Sequence, residues 1–201
     1  MLHPHTEIRH VNPVIGCGVF ATRAIPMGTL VWVPDHLDRY FTHRQVWAWP
    51  EEVRESTLKY MYRDYRGRYV LGWDHARYVN HSFSPNCLIT PLGFTLAIRD
   101  IAKDEELSED YGTLNIIQPF RPSPEPGARR KVVKPDDLEH HADGWDQAFR
   151  AAIVRSSKVK QPLQGLLGAE MKRKWRAGLR DPSTLPSLRT LLAPPPETPA
   201  G

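Results

Sequence analysis

The chain has 201 residues, a formal net charge of +4, 40% hydrophobic residues and six Trp. This composition can supply a hydrophobic core and excludes a wholly disordered protein. No apolar run approaches the roughly 18 residues of a membrane-spanning helix, and the first residues lack the apolar segment of a secretory signal. Two cysteines are too few for a zinc cluster or a disulfide framework. We therefore expect an intracellular protein that binds no membrane, with a bridge between Cys17 and Cys87 as the open alternative.

The two parts of the chain differ in charge. Residues 1–115 contain 12 basic and 14 acidic residues, whereas residues 116–201 contain 15 and 9. A mildly acidic first part suits a cationic substrate, and a basic second part suits an acidic partner. An ordinary solvated surface explains the same numbers equally well, so both interpretations stay open.

Short strands separated by turns are predicted for the first part of the chain. The β-favouring runs are residues 19–21, 30–33, 69–73 and 94–98. Pro50 and residues 51–65 predict one helix, because an acidic first turn precedes apolar residues at helical spacing. Many short strands with one helical insertion predict a small all-β or β-rich α+β fold.

The second part of the chain is predicted to be mainly helical. Residues 116–135 are rich in proline and basic residues, which predicts an extended linker or a meander. Residues 136–182 predict a helical extension. The apolar residues at helical spacing in its first half are Leu138, Trp145, Phe149 and Ile153. Residues 183–201 predict a disordered tail.

A second helix of this extension is predicted to begin at Pro162 and to carry an apolar stripe. The residues of the stripe are Leu163, Leu166, Leu167, Met171, Trp175 and Leu179. Each such side chain gains about 1.5 to 3 kcal/mol on burial. We therefore expect the stripe to pack on the chain's own core or in a homodimer.

Three short motifs lie between residues 16 and 112. They are Gly16-Cys17-Gly18-Val19-Phe20-Ala21, Arg77-Tyr78-Val79-Asn80-His81-Ser82-Phe83-Ser84-Pro85-Asn86 and Glu106-Leu107-Ser108-Glu109-Asp110-Tyr111-Gly112. The first also fits a dinucleotide fingerprint, but β-favouring residues follow where that fingerprint needs a helix. The second contains a glycosylation sequon, which has little weight without a secretory route. A Gly-rich hairpin and a locally satisfied polar turn would explain both motifs without any function.

In this order the three motifs resemble the SET-domain family of protein-lysine methyltransferases. The resemblance covers residues 5–115, and the lack of a cysteine-rich segment after the third motif is compatible with a bacterial member. It implies a β-rich α+β fold of small curved sheets, with a knot-like threaded segment and a helical insert over about residues 42–66. It also implies S-adenosyl-L-methionine as the cofactor and a protein substrate with an accessible lysine.

The resemblance assigns roles to individual residues. It implies cofactor contacts at Gly16, Cys17, Gly18, Val19, Arg77, Asn80, His81 and Tyr111. Arg77 would brace the second motif, and Tyr111 would be the catalytic tyrosine. The reaction needs a neutral lysine amine, held in line with the methyl donor, and it requires no metal.

Two features depart from the family pattern. Residues 31–34 lack a tyrosine that many members place in the lysine channel. The candidates to replace it are Tyr69, Tyr40 and Trp32. The zinc segment that often follows the third motif is also absent, and the helical region around Trp145 and Phe149 is the candidate to close the site instead.

We therefore expect a protein-lysine methyltransferase, cytoplasmic in a bacterium or nuclear in a eukaryote. The alternative is a SET scaffold with weak or lost activity that acts as a protein-binding module. Cofactor binding and transfer of labelled methyl distinguish the two. Nucleic-acid binding is disfavoured, because the basic region lacks interleaved aromatic residues and a groove-reading motif.

Overall fold

The computed structural model describes residues 1–196. The strands in this range are β1 (Thr6–Asn12), β2 (Gly16–Ala21), β3 (Leu30–Trp32), β4 (Arg39–Phe41), β5 (Met61–Arg63), β6 (Tyr69–Leu71), β7 (Asn80–His81), β8 (Cys87–Ile89), β9 (Thr95–Ala97) and β10 (Ser108–Glu109). The α-helices are α1 (His43–Trp47), α2 (Glu51–Leu58), α3 (Asp137–Arg155) and α4 (Ala169–Arg180). None of the helices in residues 1–196 has the length and apolarity needed to cross a bilayer.

The strands form four small sheets. Strands β1 and β2 make an antiparallel hairpin, and two three-stranded sheets have the orders β3-β9-β8 and β4-β6-β5. Strands β7 and β10 pair in parallel and bring the second and third motifs side by side. These open sheets and the helical C-terminal region confirm the predicted β-rich α+β fold. The knot-like threading stays a prediction.

The predicted helical insert contains two helices and then a strand. A capping box starts α1, in which the Thr42 hydroxyl accepts from the Gln45 backbone amide. Helix α2 ends at Leu58, so the prediction of a helix through residue 65 is wrong. Residues 61–63 pair with β6 instead, because sheet pairing there outweighs the helical spacing of the apolar residues.

Helix α3 covers the β3-β9-β8 sheet. Its four predicted apolar residues are buried in one cluster with Leu30 and Phe94. Gly28 allows this close packing, because an added Cβ would lie 2.8 Å from the Ala152 carbonyl oxygen and φ is +90°. The Ser156 hydroxyl also donates to the Gly28 carbonyl at 2.8 Å. The first part of the chain and its helical extension therefore share one hydrophobic core.

The predicted apolar stripe packs on this same core, although its first part is not helical. Helix α4 begins at Ala169, and residues 164–166 form a short 3-10 turn. The buried members of the stripe are Leu163, Leu167 and Trp175, with Met171 and Leu179 packed against them. Leu166 is exposed, so its assignment to the stripe is wrong. The chain's own core accommodates the stripe without a second copy.

The predicted disordered tail is wrong for residues 183–192. Leu185, Leu188 and Leu191 are buried against the larger cluster. The Leu188 amide donates to the Asp146 carboxylate at 2.7 Å, which fixes this segment on α3. Proline content suggested disorder, but leucine at every third position supplies enough apolar surface to dock the segment. Residues 197–201 lie outside the described residues.

Leu191→Ala should lower the free energy of unfolding by about 2 kcal/mol, the low end for a buried leucine, because Leu191 lies at the edge of the core. Leu192→Ala is a matched control, since Leu192 is 41% exposed and should change stability by less than about 0.5 kcal/mol. Urea unfolding of both variants checks this. Equal effects at the two positions would show that residues 183–192 do not dock.

Candidate active site

The first and second motifs meet at Gly18 and Asn80. The Asn80 side-chain amide donates to the Cys17 carbonyl at 3.1 Å and to Glu106 Oε1 at 2.7 Å. A Cβ on Gly18 would lie 2.2 Å from Glu106 Oε1 and 2.9 Å from Asn80 Nδ2. Glycine is therefore required at position 18 so that these two side chains can approach the hairpin.

His81 is held as a neutral imidazole. Its side chain is 3% exposed, and Nδ1 accepts a hydrogen bond from the Tyr111 backbone amide at 3.1 Å. Burial and the nearby Arg130 guanidinium lower the pKa of His81 to about 4. The ring proton of the neutral form is then on Nε2, which is buried and has no hydrogen-bond partner within residues 1–196. The rings of Phe83 and Phe120 meet this imidazole edge to face.

Tyr111 lies at the start of a short 3-10 turn. The Asp110 carboxylate caps this turn by accepting from the Gly112 amide at 3.0 Å. The Tyr111 hydroxyl donates to the Val79 carbonyl at 2.9 Å. Burial and the carboxylate of Glu109 raise the pKa of Tyr111, so the phenol is neutral at pH 7. An oriented hydroxyl of this kind still has lone pairs that can accept a hydrogen bond.

A cavity of about 420 Å³ opens next to Tyr111. Aromatic residues supply much of its wall, namely Trp32, Trp47, Tyr60, Tyr62, Tyr69 and Tyr111. The rings of Trp32 and Tyr62 meet at 87° with their centroids 6.4 Å apart. Among the described residues nothing accepts a hydrogen bond from the buried Trp32 indole N–H. The cavity is thus apolar, with polar atoms available to a ligand.

Glu109 supplies a carboxylate to the wall of this cavity. The Thr95 hydroxyl donates to Glu109 Oε1 at 2.9 Å. Glu109 as a whole is half-buried, and its place in the cavity wall removes most of the hydration of the carboxylate. This burial raises the pKa of Glu109 to about 7. Both protonation states are therefore populated at neutral pH.

Residues 116–135, called the covering segment below, are anchored on the second motif. The Glu125 carboxylate accepts from the Ser82 hydroxyl at 2.9 Å and from the Phe83 amide at 2.7 Å. The Arg130 guanidinium forms ion pairs with Asp110 and Asp137 and lies 4.8 Å from the centre of the Phe83 ring. Residues 116–135 contain no helix or named strand, which is compatible with the predicted linker or meander, but ion pairs of Arg130 fix this stretch in place.

The family model of the SET domain matches residues 16–112. The chain carries a SET domain. The predicted resemblance is thereby confirmed, and proteins with this domain are typically protein-lysine methyltransferases. No curated protein matches the chain. Among solved structures, the chain is similar to a candidate histone methyltransferase from Plasmodium falciparum, at 18% identity over 55% of this chain and 95% of that chain, with a TM-score of 0.40.

Some of the predicted site residues come together around the SET-domain motifs. Gly18, Asn80, His81 and Tyr111 are linked by the contacts described above, and Cys17 joins them through its carbonyl. Gly16 starts β2 with φ at +83°, as the hairpin turn requires. Cys17, Gly18 and Asn80 thus form one group of contacts, and the His81–Tyr111 pair adjoins it because His81 follows Asn80 in the chain.

Two further predicted cofactor positions, Val19 and Arg77, have other contacts. Val19 is fully buried in the smaller hydrophobic cluster, and its carbonyl accepts from the Leu107 amide at 2.7 Å. Its observed role is in the core. Arg77 donates to the Trp73 carbonyl at 3.2 Å and lines the cavity, so it braces the turn before β7. Its predicted role in bracing the second motif stays a prediction.

Two of the three candidates to replace the missing channel tyrosine line the cavity. Trp32 and Tyr69 line the cavity, whereas Tyr40 is 40% exposed and lies outside its wall. Tyr62 also lines the cavity and was missed, because residues 61–63 were assigned to a helix. The predicted closure by Phe149 is wrong, since that ring belongs to the core.

The residue that contacts both the His81 and the Tyr111 ring is Phe120 of the covering segment, with ring centroids 6.0 and 5.8 Å away. Trp145 reaches this region through Arg130, whose guanidinium lies 5.8 Å from the centre of a Trp145 ring. No group of three or more His, Cys, Asp or Glu side chains in residues 1–196 is arranged to hold a metal ion.

Proposed function

We propose that this SET domain transfers a methyl group from S-adenosyl-L-methionine to a lysine side chain of a protein. The observation that carries the proposal is the position of Tyr111 between two sites. Its backbone amide bonds to His81, and its ring lines the aromatic cavity. One residue thus connects a candidate cofactor site with a candidate channel for an alkyl amine.

The residues around His81 fit an adenine-bearing cofactor. The buried Nε2–H of His81 lacks an acceptor, and a heteroaromatic nitrogen or carbonyl of a ligand could supply one. The Phe120 ring is 40% exposed and offers an aromatic face for stacking. Gly16 and Cys17 would hold the amino-acid end through backbone groups. When bound, S-adenosyl-L-methionine supplies an electrophilic methyl group on a sulfonium.

The residues of the cavity would position the substrate amine. Its aromatic walls can enclose the aliphatic stem of lysine and exclude water, which disfavours the charged ammonium. The Tyr111 hydroxyl, fixed by its bond to the Val79 carbonyl, would orient the amine lone pair. Catalysis by this site would depend mainly on positioning.

A SET scaffold without turnover is the second candidate, and one observation favours it. Both hydrogens of the Asn80 amide are already bonded within the chain, to the Cys17 carbonyl and to Glu106. A cofactor that uses Asn80 must replace one of these bonds. An intact internal network would instead leave a domain that binds proteins without catalysing transfer.

S-adenosyl-L-methionine at 100 times its dissociation constant should raise the melting temperature by about 5 to 10 °C, through binding to the native state. Asn80→Ala should weaken this shift, whereas Gln147→Ala on the exposed face of α3 should leave it unchanged. Differential scanning fluorimetry and transfer of labelled methyl to lysate proteins check the proposal. A folded protein with no shift at millimolar cofactor would contradict it. A shift without transfer would support the inactive scaffold.

A further inference from the structure

Glu109 is the carboxylate that the proposed reaction has not yet used. It lies in β10, two residues before Tyr111, and both side chains line the cavity. An extended chain directs residues two apart to the same side, which explains this arrangement. Burying a carboxylate beside aromatic rings costs free energy unless a cation or a proton accompanies it. We therefore ask whether the protein or a bound ligand supplies the cation or proton that accompanies Glu109.

The basic residues of the cavity wall have other partners. The Lys59 ammonium lies 5.0 Å from the centre of the Tyr60 ring. Arg63 donates to the Pro194 carbonyl at 2.7 Å, and Arg77 donates to the Trp73 carbonyl. Burial raises and the Thr95 hydroxyl lowers the pKa of Glu109, and within residues 1–196 no charged group contributes. Glu109 is thus a carboxylate without a resident counter-ion.

The ionisable groups that interact with Glu109 are neutral at pH 7. They are Tyr62 of β5, Cys87 of β8 and Tyr111. Burial raises the pKa of each of them, so none can take a proton from a substrate ammonium or offer Glu109 a positive charge. The faces of the aromatic rings in the cavity wall also attract a bound cation.

The structure assigns to Glu109 the recognition of the substrate's terminal ammonium in the cavity and the acceptance of its proton before methyl transfer. This inference rests on the proposed function and names the group that prepares the amine. In the step, one N–H bond of the ammonium breaks and an O–H bond forms on Glu109. The products are a neutral amine, with its lone pair free, and a carboxylic acid still bonded to Thr95.

The acidity of the cavity carboxyl suits this step. A lysine ammonium has an ordinary pKa near 10.4, and burial next to aromatic rings lowers it toward that of its acceptor. Glu109 titrates at about 7, so it can take the proton and later release it near neutral pH. An ordinary carboxylate with a pKa near 4.3 would be a much weaker acceptor.

The first test uses n-butylammonium chloride, without cofactor, as a probe for the alkyl ammonium of lysine. NMR titration at pH 8 should show at least about 10-fold weaker binding to Glu109→Gln than to the wild type, a difference of about 1.4 kcal/mol. Binding of the neutral probe 1-pentanol should be equal in both. Glu52→Gln removes the same charge from an exposed position of α2 and should change neither affinity. Equal n-butylammonium affinity in wild type and Glu109→Gln would overturn the inference.

The second test uses Thr95→Val, which keeps the carboxylate and removes its hydrogen bond. Loss of this donor should raise the pKa of Glu109, so the pH midpoint of n-butylammonium binding should rise from its wild-type value near 7. An unchanged midpoint would contradict the inference even if Glu109→Gln fails to fold. If Glu109→Gln loses probe binding and the wild type shows no methyl transfer, the assignment of Glu109 to ammonium recognition is supported and the proposed function is refuted. If Glu109→Gln transfers methyl groups at the wild-type rate, the proposed function is supported and the role of Glu109 is refuted.

Discussion

Tyr111→Phe should reduce the rate of methyl transfer about 100-fold or more, because it removes the hydroxyl that we propose to act at the reacting amine. Cofactor binding should change little, since the His81 contact uses the Tyr111 backbone amide, which Phe retains. The loss should therefore fall on kcat, as expected for a group that acts in the transition state. Single-turnover transfer of labelled methyl measures it, with the thermal shift by cofactor measured in parallel.

The matched control for Tyr111 is Tyr65→Phe, which removes a hydroxyl from a tyrosine that is 50% exposed. Its transfer rate should equal that of the wild type. Tyr111→Phe also loses the bond to the Val79 carbonyl, worth about 1 kcal/mol of stability, so both variants are compared below their melting temperatures. Wild-type turnover by Tyr111→Phe would limit Tyr111 to a structural role.

Arg130→Met should lower the free energy of unfolding by about 3 to 5 kcal/mol at neutral pH, because two buried carboxylates lose their cation. Arg130 pairs with Asp110 and Asp137, and its side chain is 20% exposed. Arg129→Met, at an exposed neighbouring position, should change stability by less than about 0.5 kcal/mol. Chemical denaturation of the two variants measures the difference.

The Arg130 effect should also depend on pH. Burial raises the pKa of Asp110 even though Arg130 opposes that shift. Removal of the arginine should raise this pKa further. A carboxyl with a raised folded-state pKa stabilises the fold at low pH and loses that contribution as pH rises through the folded pKa. The stability difference between wild type and Arg130→Met should therefore shrink as the pH falls from 7 toward 4. A difference that is small or constant over this range would contradict the proposed anchoring.

Local patterns in the sequence predicted the elements that are stabilised by periodic apolar burial. The runs at residues 19–21, 30–33, 69–73 and 94–98 contain strands, and α3 buries all four residues predicted to be apolar contacts. The motifs identified the domain because they place specific residue types in a fixed order. The end of α2 was missed because residues 61–63 pair with β6, and the helical spacing of the apolar residues does not reveal this pairing.

The covering segment could not be predicted because it has no periodic apolar pattern. Single polar contacts of Glu125 and Arg130 hold it, and the partners of these residues are defined only in the folded chain. Glu109 is different, since its sequence position carries a signal. In an extended third motif it alternates with Tyr111 onto one face, and that alternation could have indicated a carboxylate in the cavity.

The shared core of β3, β9 and α3 has a consequence for the growing chain. Leu30 and Phe94 leave the ribosome before Phe149, the ring that packs against them. At 5 to 20 residues per second, the intervening residues take on the order of 3 to 10 seconds to synthesise. During that interval the face of the β3-β9-β8 sheet that α3 will cover is exposed, and it can aggregate or bind a chaperone. We expect residues 1–115 to expose apolar surface while the chain is still being synthesised, and to form an ordered domain only once α3 has emerged.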